Sequence, residues 1–231
     1  MDAVLMIHGF MENSGQFAPL ERALAKPGRV CRPVVLPGHE AELRAFCRSG
    51  RAQWRAHVRA AAAEACAQYD RVLLVGHSMG GLLAMDAAGD LPVQGVVAVA
   101  LPLRARITVR AIRYRLAMLG RPRATDSEEI AAVRACCGVR GIHWWNVPRL
   151  IPNTLGLLRE MARARRSLPG FRKPLTVINS ENDDIVSPRS AAQVAQQLPA
   201  ARLIRLRKAS HFHYSPEDIA IIAQAIEAYL T

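Results

Sequence analysis

Gly76-His77-Ser78-Met79-Gly80 stands between the apolar run Val72-Leu73-Leu74-Val75 and the helix-forming Leu82-Leu83-Ala84-Met85. A strand that turns into a helix over five residues leaves no room for side chains two positions either side of its centre. Glycines at 76 and 80 remove that collision, and the serine between them sits in strained backbone. Its hydroxyl is raised at the carboxyl end of a strand, beside a helix N-terminus whose free N–H groups favour negative charge. Gly-x-Ser-x-Gly in this strand-to-helix setting is a turn that presents a serine as a nucleophile.

The pattern outward from Ser78 repeats the same alternation. Short apolar or β-branched runs at 3–7, 30–36, 71–76, 95–100, 174–179 and 202–206 are expected as strands. Helix-length segments lie between them, the rhythm of a parallel sheet covered on both faces. Ser14 can cap a helix running to about Ala25, and 53–69 carries an apolar stripe through Trp54, Val58, Ala61, Ala62 and Ala65. Further helices are expected at 79–88, 188–197 and 216–230, with Pro188 and Pro216 in first turns. From Leu103 to Gly170 the rhythm fails. No convincing strand is found there, only helical fragments separated by Gly120-Arg121-Pro122, 138–141 and 148–152. A connection that long predicts a small helical subdomain.

At 231 residues, with 51% apolar residues, the chain can bury one substantial core. No apolar run approaches the roughly 20 residues of a membrane span, and Val4-Leu5-Met6-Ile7 runs straight into His8-Gly9 without a signal peptide's layout. Five cysteines, Cys31, Cys47, Cys66, Cys136 and Cys137, are odd in number and lack metal-ligand spacing, which predicts reduced thiols and a cytoplasmic location. The net charge of +12 suggests a nucleic-acid binder at first. Its distribution argues otherwise: residues 104–172 hold fifteen Arg against four acidic residues, and the rest of the chain has 16 basic and 15 acidic residues. The basic character belongs to the long insertion, and no nucleic-acid module accompanies it.

A serine hydroxyl needs a base to activate it, and the base needs an acid to orient it. After a Gly-x-Ser-x-Gly turn the partners follow in the order serine, acid, histidine. The acid should lie just past the strand at 174–179, where Asp183 and Asp184 are the candidates. The histidine should follow the last strand, where His211 and its neighbour His213 compete. Two backbone N–H groups must meet the developing oxyanion. Met79 supplies one, immediately after the serine, and Phe10 in His8-Gly9-Phe10 supplies the other. His8, His39, His57, His77 and His143 are expected in turn, loop and surface roles.

His8-Gly9-Phe10, Leu36-Pro37-Gly38-His39, Gly76-His77-Ser78-Met79-Gly80-Gly81, the acid loop at Asp183 and His211 together resemble the α/β hydrolases. The likeness spans nearly all the sheet-forming chain and omits the insertion. It implies an α/β-hydrolase fold with a mostly parallel sheet of about six strands, the two N-terminal strands of the full fold being absent. Residues 1–102 and 171–231 form the core and 103–170 a helical cap. The position of Asp183 three residues before Val186 fits the family's acid loop and favours it over Asp184. Ser210 stands where a glycine commonly precedes the histidine.

More narrowly, the compact length, the early His-Gly-Phe and Trp54 resemble small bacterial carboxylesterases and monoacylglycerol lipases. That resemblance implies hydrolysis of esters of short or medium acyl chains, without a cofactor or metal. The expected partner is a small-molecule ester, anionic or lipid-like, with peripheral membrane contact through the cap. Trp144, Trp145, Leu155 and Leu158 are the candidate acyl-chain contacts, alongside Leu157 and Met161. The same machinery suits a thioesterase acting on an anionic substrate, or a receptor that keeps the fold without turnover.

Overall fold

The computed structural model describes residues 1–119 and 123–230. Its strands are β1 (Asp2–Ile7), β2 (Arg29–Val34), β3 (Ala41–Glu42), β4 (Arg71–His77), β5 (Gly95–Val99), β6 (Val139–Arg140), β7 (Leu175–Ser180) and β8 (Arg202–Leu206). Its helices are α1 (Ala18–Leu24), α2 (Leu43–Arg48), α3 (Arg51–Gln68), α4 (Met79–Ala88), α5 (Val109–Ala117), α6 (Glu128–Cys136), α7 (Ile151–Ser167), α8 (Arg189–Gln197) and α9 (Pro216–Glu227).

Six strands form one parallel sheet in the order β2-β1-β4-β5-β7-β8. β1 shows why both faces are covered. Ala3, Leu5 and Ile7 face a core shared with α3 and α4, while Val4 and Met6 face a second core shared with α1 and α9. Successive strand side chains point to opposite faces, so a strand buried on both sides must be apolar throughout. Each fully buried Leu or Ile contributes about 1.5–3 kcal/mol before conformational entropy is counted. The predicted stripe of α3, from Trp54 to Ala65, is buried as a unit.

Among the described residues, two backbone bridges stitch the insertion to loops at the sheet's carboxyl edge. Near its start, Ala105 bridges Val186, the Arg106 N–H meets the Ile185 carbonyl at 2.8 Å and the Ser187 N–H meets that of Arg104 at 2.8 Å. Past its middle, Cys137 bridges Glu12, and the Gly138 N–H reaches the Met11 carbonyl at 2.7 Å. α7 then lies on the α3–α4 face through Met161 and Ala164, with Leu168 just past its end and the buried Glu160 carboxylate 3.0 Å from Arg51.

Three local expectations need correction. The first helix is divided: Ser14–Phe17 is a tight 3₁₀ turn, and Ser14 caps nothing with its side chain. Its N–H is taken instead by the Glu40 carboxylate at 2.7 Å. The insertion contains a strand after all, since β6 pairs in parallel with β3; two-residue strands carry no readable period. α2, absent from the sequence reading, forms between two turns and buries Leu43 and Phe46. The break expected at Gly120-Arg121-Pro122 lies outside the described residues.

Candidate active site

The carboxyl ends of β1, β4, β7 and β8 deliver four loops to one edge of the sheet. Ser78 sits between β4 and α4 with φ 51° and ψ −122°, a region that non-glycine residues seldom adopt. A Cβ on Gly76 would lie 2.4 Å from the backbone of Gly80 and Gly81, and one on Gly80 would lie 2.0 Å from the Ile7 carbonyl oxygen. The second contact explains more than the turn. It shows that the elbow is pressed against the end of β1, where the His8–Phe10 loop begins.

His211 Nε2 lies 3.2 Å from Ser78 Oγ, and His211 Nδ1 lies 2.9 Å from Asp183 Oδ2. The Asp183 carboxylate also accepts the N–H groups of Ile185 and Val186, at 2.9 and 2.7 Å. Burial alone would raise its pKa. The attraction and hydrogen bond of His211, with the two N–H donors, outweigh that and hold it below the ordinary carboxylate value. For His211, burial disfavours the imidazolium, but the charge and hydrogen bond of Asp183, with smaller contributions from Glu12 and Asp184, raise its pKa. An ionised Asp183 fixes the proton on Nδ1, which leaves Nε2 free to accept from the serine hydroxyl.

Of the competing groups, Asp184 is turned away to Arg110, at 3.4 Å, and His213 lines a separate cavity of about 150 Å³ beside His77 and Tyr214. The 183–184 peptides are clamped from the insertion: the Arg106 guanidinium donates to the Asp183 carbonyl and the Thr108 hydroxyl to that of Asp184.

Met79 opens α4, so its N–H belongs to the free donors of a helix N-terminus. The Phe10 N–H donates to no group among the described residues. The loop between is fixed by two histidines. His8 Nε2 accepts the Leu36 N–H at 3.0 Å, and His39 Nε2 accepts the Met11 N–H at 3.2 Å. Burial lowers both pKa values, His39 to about 3, which keeps the accepting lone pairs available. The Phe10 ring packs edge-on against Phe46 and Trp54, and the Trp54 indole donates to the Pro37 carbonyl at 3.0 Å. Thus the Leu36-Pro37-Gly38-His39 stretch braces the loop that carries Phe10.

His8 and His39 keep the loop and turn places expected of them, but the expected surface role is corrected: both are buried, as is His77, which ends β4. His77 joins a group missed in the sequence, Glu12, whose carboxylate lies 2.8 Å from His77 Nδ1. Glu12, His77 and His211 offer ligand atoms within 4.8 Å of one another. Each of the His77 and His211 ring nitrogens already has a protein partner, so the group forms a hydrogen-bonded network. An acidic residue five positions past a strand, amid glycine and aromatics, was the available signal.

The candidate acyl-chain contacts are not packed against Ser78. Trp144 and Trp145 are 77% and 61% exposed, Leu155 and Leu158 46% and 48%. Trp145 stacks on His143 with ring centroids 4.4 Å apart. Met161 turns inward and joins the core, and the half-buried Leu157 packs against it. No helix among the described residues is long and apolar enough to cross a membrane.

A parallel sheet with a serine on a strained elbow after its central strand, followed in the chain by an acid and a histidine at the same edge, defines a class, the α/β hydrolases. This chain belongs to the alpha/beta hydrolase family, whose model matches residues 4–224. It is similar to the thermostable monoacylglycerol lipase of Bacillus sp. (strain H-257), with 28% identity over 213 residues, covering 90% of this chain and 82% of that protein. Among solved structures it resembles one from work on the metagenome-derived lipolytic enzymes LipS and LipT, with TM-score 0.73, 22% identity and coverage of 99% and 93%. The monoacylglycerol lipase of Paleococcus ferrophilus is similar at TM-score 0.70 and 20% identity, again covering 99% and 93%.

Proposed function

We propose that the chain is a serine hydrolase of carboxylic esters with short or medium acyl chains, working through Ser78, His211 and Asp183. The observation that carries this reading is the unbroken line from Ser78 Oγ to His211 Nε2 (3.2 Å) and from His211 Nδ1 to Asp183 (2.9 Å), raised on a strained turn. Similarity to the Bacillus monoacylglycerol lipase supports an ester as substrate.

Ser78 attacks the ester carbonyl while His211 takes its proton and Asp183 stabilises the imidazolium. The N–H groups of Phe10 and Met79 meet the oxyanion; loss of one such donor typically costs on the order of 10²–10³ in rate. His211 then protonates the departing alcohol, and water repeats the cycle on the acyl-enzyme. Residues 103–170 act as a cap. Its exposed Trp144, Trp145, Leu155 and Leu158 beside the arginines suit a lipid-like or anionic ester.

A panel of 4-nitrophenyl esters and monoacylglycerols of graded chain length tests the reading. Turnover that favours short or medium chains and vanishes in Ser78→Ala is expected. With an anionic ester, added salt should raise KM, and with a neutral one it should not. Turnover that survives Ser78→Ala would overturn the reading.

A further inference from the structure

Behind the serine lies a buried acid that the proposed reaction does not use. Glu12 is 1% exposed. One oxygen of its carboxylate accepts the Gly9 N–H at 2.6 Å, lies 2.8 Å from His77 Nδ1 and takes the Gln16 side-chain N–H at 2.8 Å. The carboxylate folds so closely over Gly9 that a Cβ there would meet it at 2.4 Å. Glu12 also ends the turn that contains Phe10, its N–H reaching the Gly9 carbonyl at 3.3 Å, and Met11 within that turn has φ 63°. On the far side, His77 Nε2 lies 3.0 Å from the His211 carbonyl oxygen and 3.2 Å from the Tyr214 hydroxyl. His77 immediately precedes Ser78. One carboxylate therefore joins the loop bearing Phe10, the elbow bearing Ser78 and the backbone of His211, three segments separated by 65 residues or more.

We propose that Glu12 is a positioning residue for ester hydrolysis, holding the Phe10 loop against the Ser78 elbow through Gly9 and His77 and keeping a fixed negative charge beside His211. The proposal rests on the serine-hydrolase reading above. A neutral side chain of the same shape could fill the space, but it could not keep three donors aimed at one point, nor supply the charge. Burial opposes ionisation of Glu12, yet its partners hold its pKa at about 2, so the charge persists throughout the working range. The groups that share this field are Asp183 and Asp184 from the loop after β7, His77 at the end of β4, His8 and His39 from the neighbouring loops, Cys136 and Cys137 from the insertion, and Tyr214. Both Asp183 and Glu12 act on His211 in the same direction, favouring the imidazolium formed during attack.

The test is steady-state kinetics against pH, with a neutral 4-nitrophenyl ester, for the wild type, Glu12→Gln and His77→Gln. Glu12→Gln should lower kcat by about 10- to 100-fold, less than outright loss of an oxyanion donor, with KM within about twofold. It should also move the acid limb of the kcat/KM profile to lower pH, because a charge that favours the imidazolium has gone. His77→Gln cuts the same link without removing the carboxylate itself, so kcat should fall, again with KM within about twofold. A folded Glu12→Gln with wild-type kcat, or with reduced kcat and an unmoved acid limb, would overturn the role. If Glu12→Gln does not fold, His77→Gln decides: a tenfold fall in kcat at unchanged KM supports the link, and wild-type kcat overturns it. A wild type that hydrolyses no ester overturns the proposed function and this role with it; an active wild type indifferent to the substitutions overturns this role alone.

Discussion

The elbow around Ser78 and the insertion from 103 to 170 meet solvent on different terms. At the elbow, His77, Ser78, Met79, Asp183 and His211 are all buried, and glycines stand where a methyl group would strike backbone. In the insertion, Ile107, Val109, Leu116, Trp144 and Ile151 stand in solvent among arginines. The first region has no latitude: its atoms are placed by the sheet, and a shift of a fraction of an ångström would break a contact. The second is tied to the core at separate points: to the acid loop through 104–106, to the Phe10 loop through 137–138, to β3 through β6, to Phe212 through Tyr114 and Val133, and to α3 and α4 through α7. The geometry on which the proposed chemistry depends sits in the first, and the exposed apolar side chains proposed to meet the substrate sit in the second.

The sharpest way to break that contrast is at Asp183. Asp183→Asn leaves shape nearly unchanged but removes the charge that fixes the His211 tautomer. It should lower kcat by on the order of 10²–10⁴. The pH profile supplies a second reading. Because the pKa of His211 is raised by Asp183, neutral His211, the form that accepts the serine proton, is lost as pH falls through a value above the ordinary 6.5. The acid limb of kcat/KM should therefore lie above 6.5 in the wild type and move to lower pH in any Asp183→Asn activity that remains.

A smaller effect compares two tryptophans. Trp54 is fully buried against Phe46, His39 and Phe10, so Trp54→Ala should cost about 3–5 kcal/mol, roughly 10 °C in Tm for a chain of this size. Trp144→Ala, at a solvent-facing ring, should change stability by less than about 0.5 kcal/mol. It should instead raise KM for the longer esters. Thermal melts and ester kinetics on both variants check the pair; equal Tm losses would erase the distinction between the regions.

How far the sequence carries follows the same division. The six sheet strands and the Ser78 turn are legible because each depends on neighbours in the chain: an apolar run, a glycine at a fixed offset, a helix directly after. Asp183 and His211 are found by order along the chain, since each follows a strand that could itself be read. Glu12 is not, and the burial of His8 and His39 is not, because each depends on a partner 28 or 65 residues away. A carboxylate counted in a composition looks like surface charge until its donors are known. Leu155, Leu157 and Leu158 sit at helical spacing that permits either face to turn inward, and only the docking of α7 on α3 and α4 selects Leu157 to pack against the core. The two-residue pairing of β3 with β6 has too few residues to show a period.

The central claim is that Ser78 is an activated nucleophile. Labelling the intact protein with a fluorophosphonate and locating the adduct by peptide mass spectrometry tests it most directly. The account predicts a single adduct on Ser78, formed faster as pH rises through the His211 titration and absent from Ser78→Ala. No adduct, or one on another serine that persists in Ser78→Ala, would contradict it.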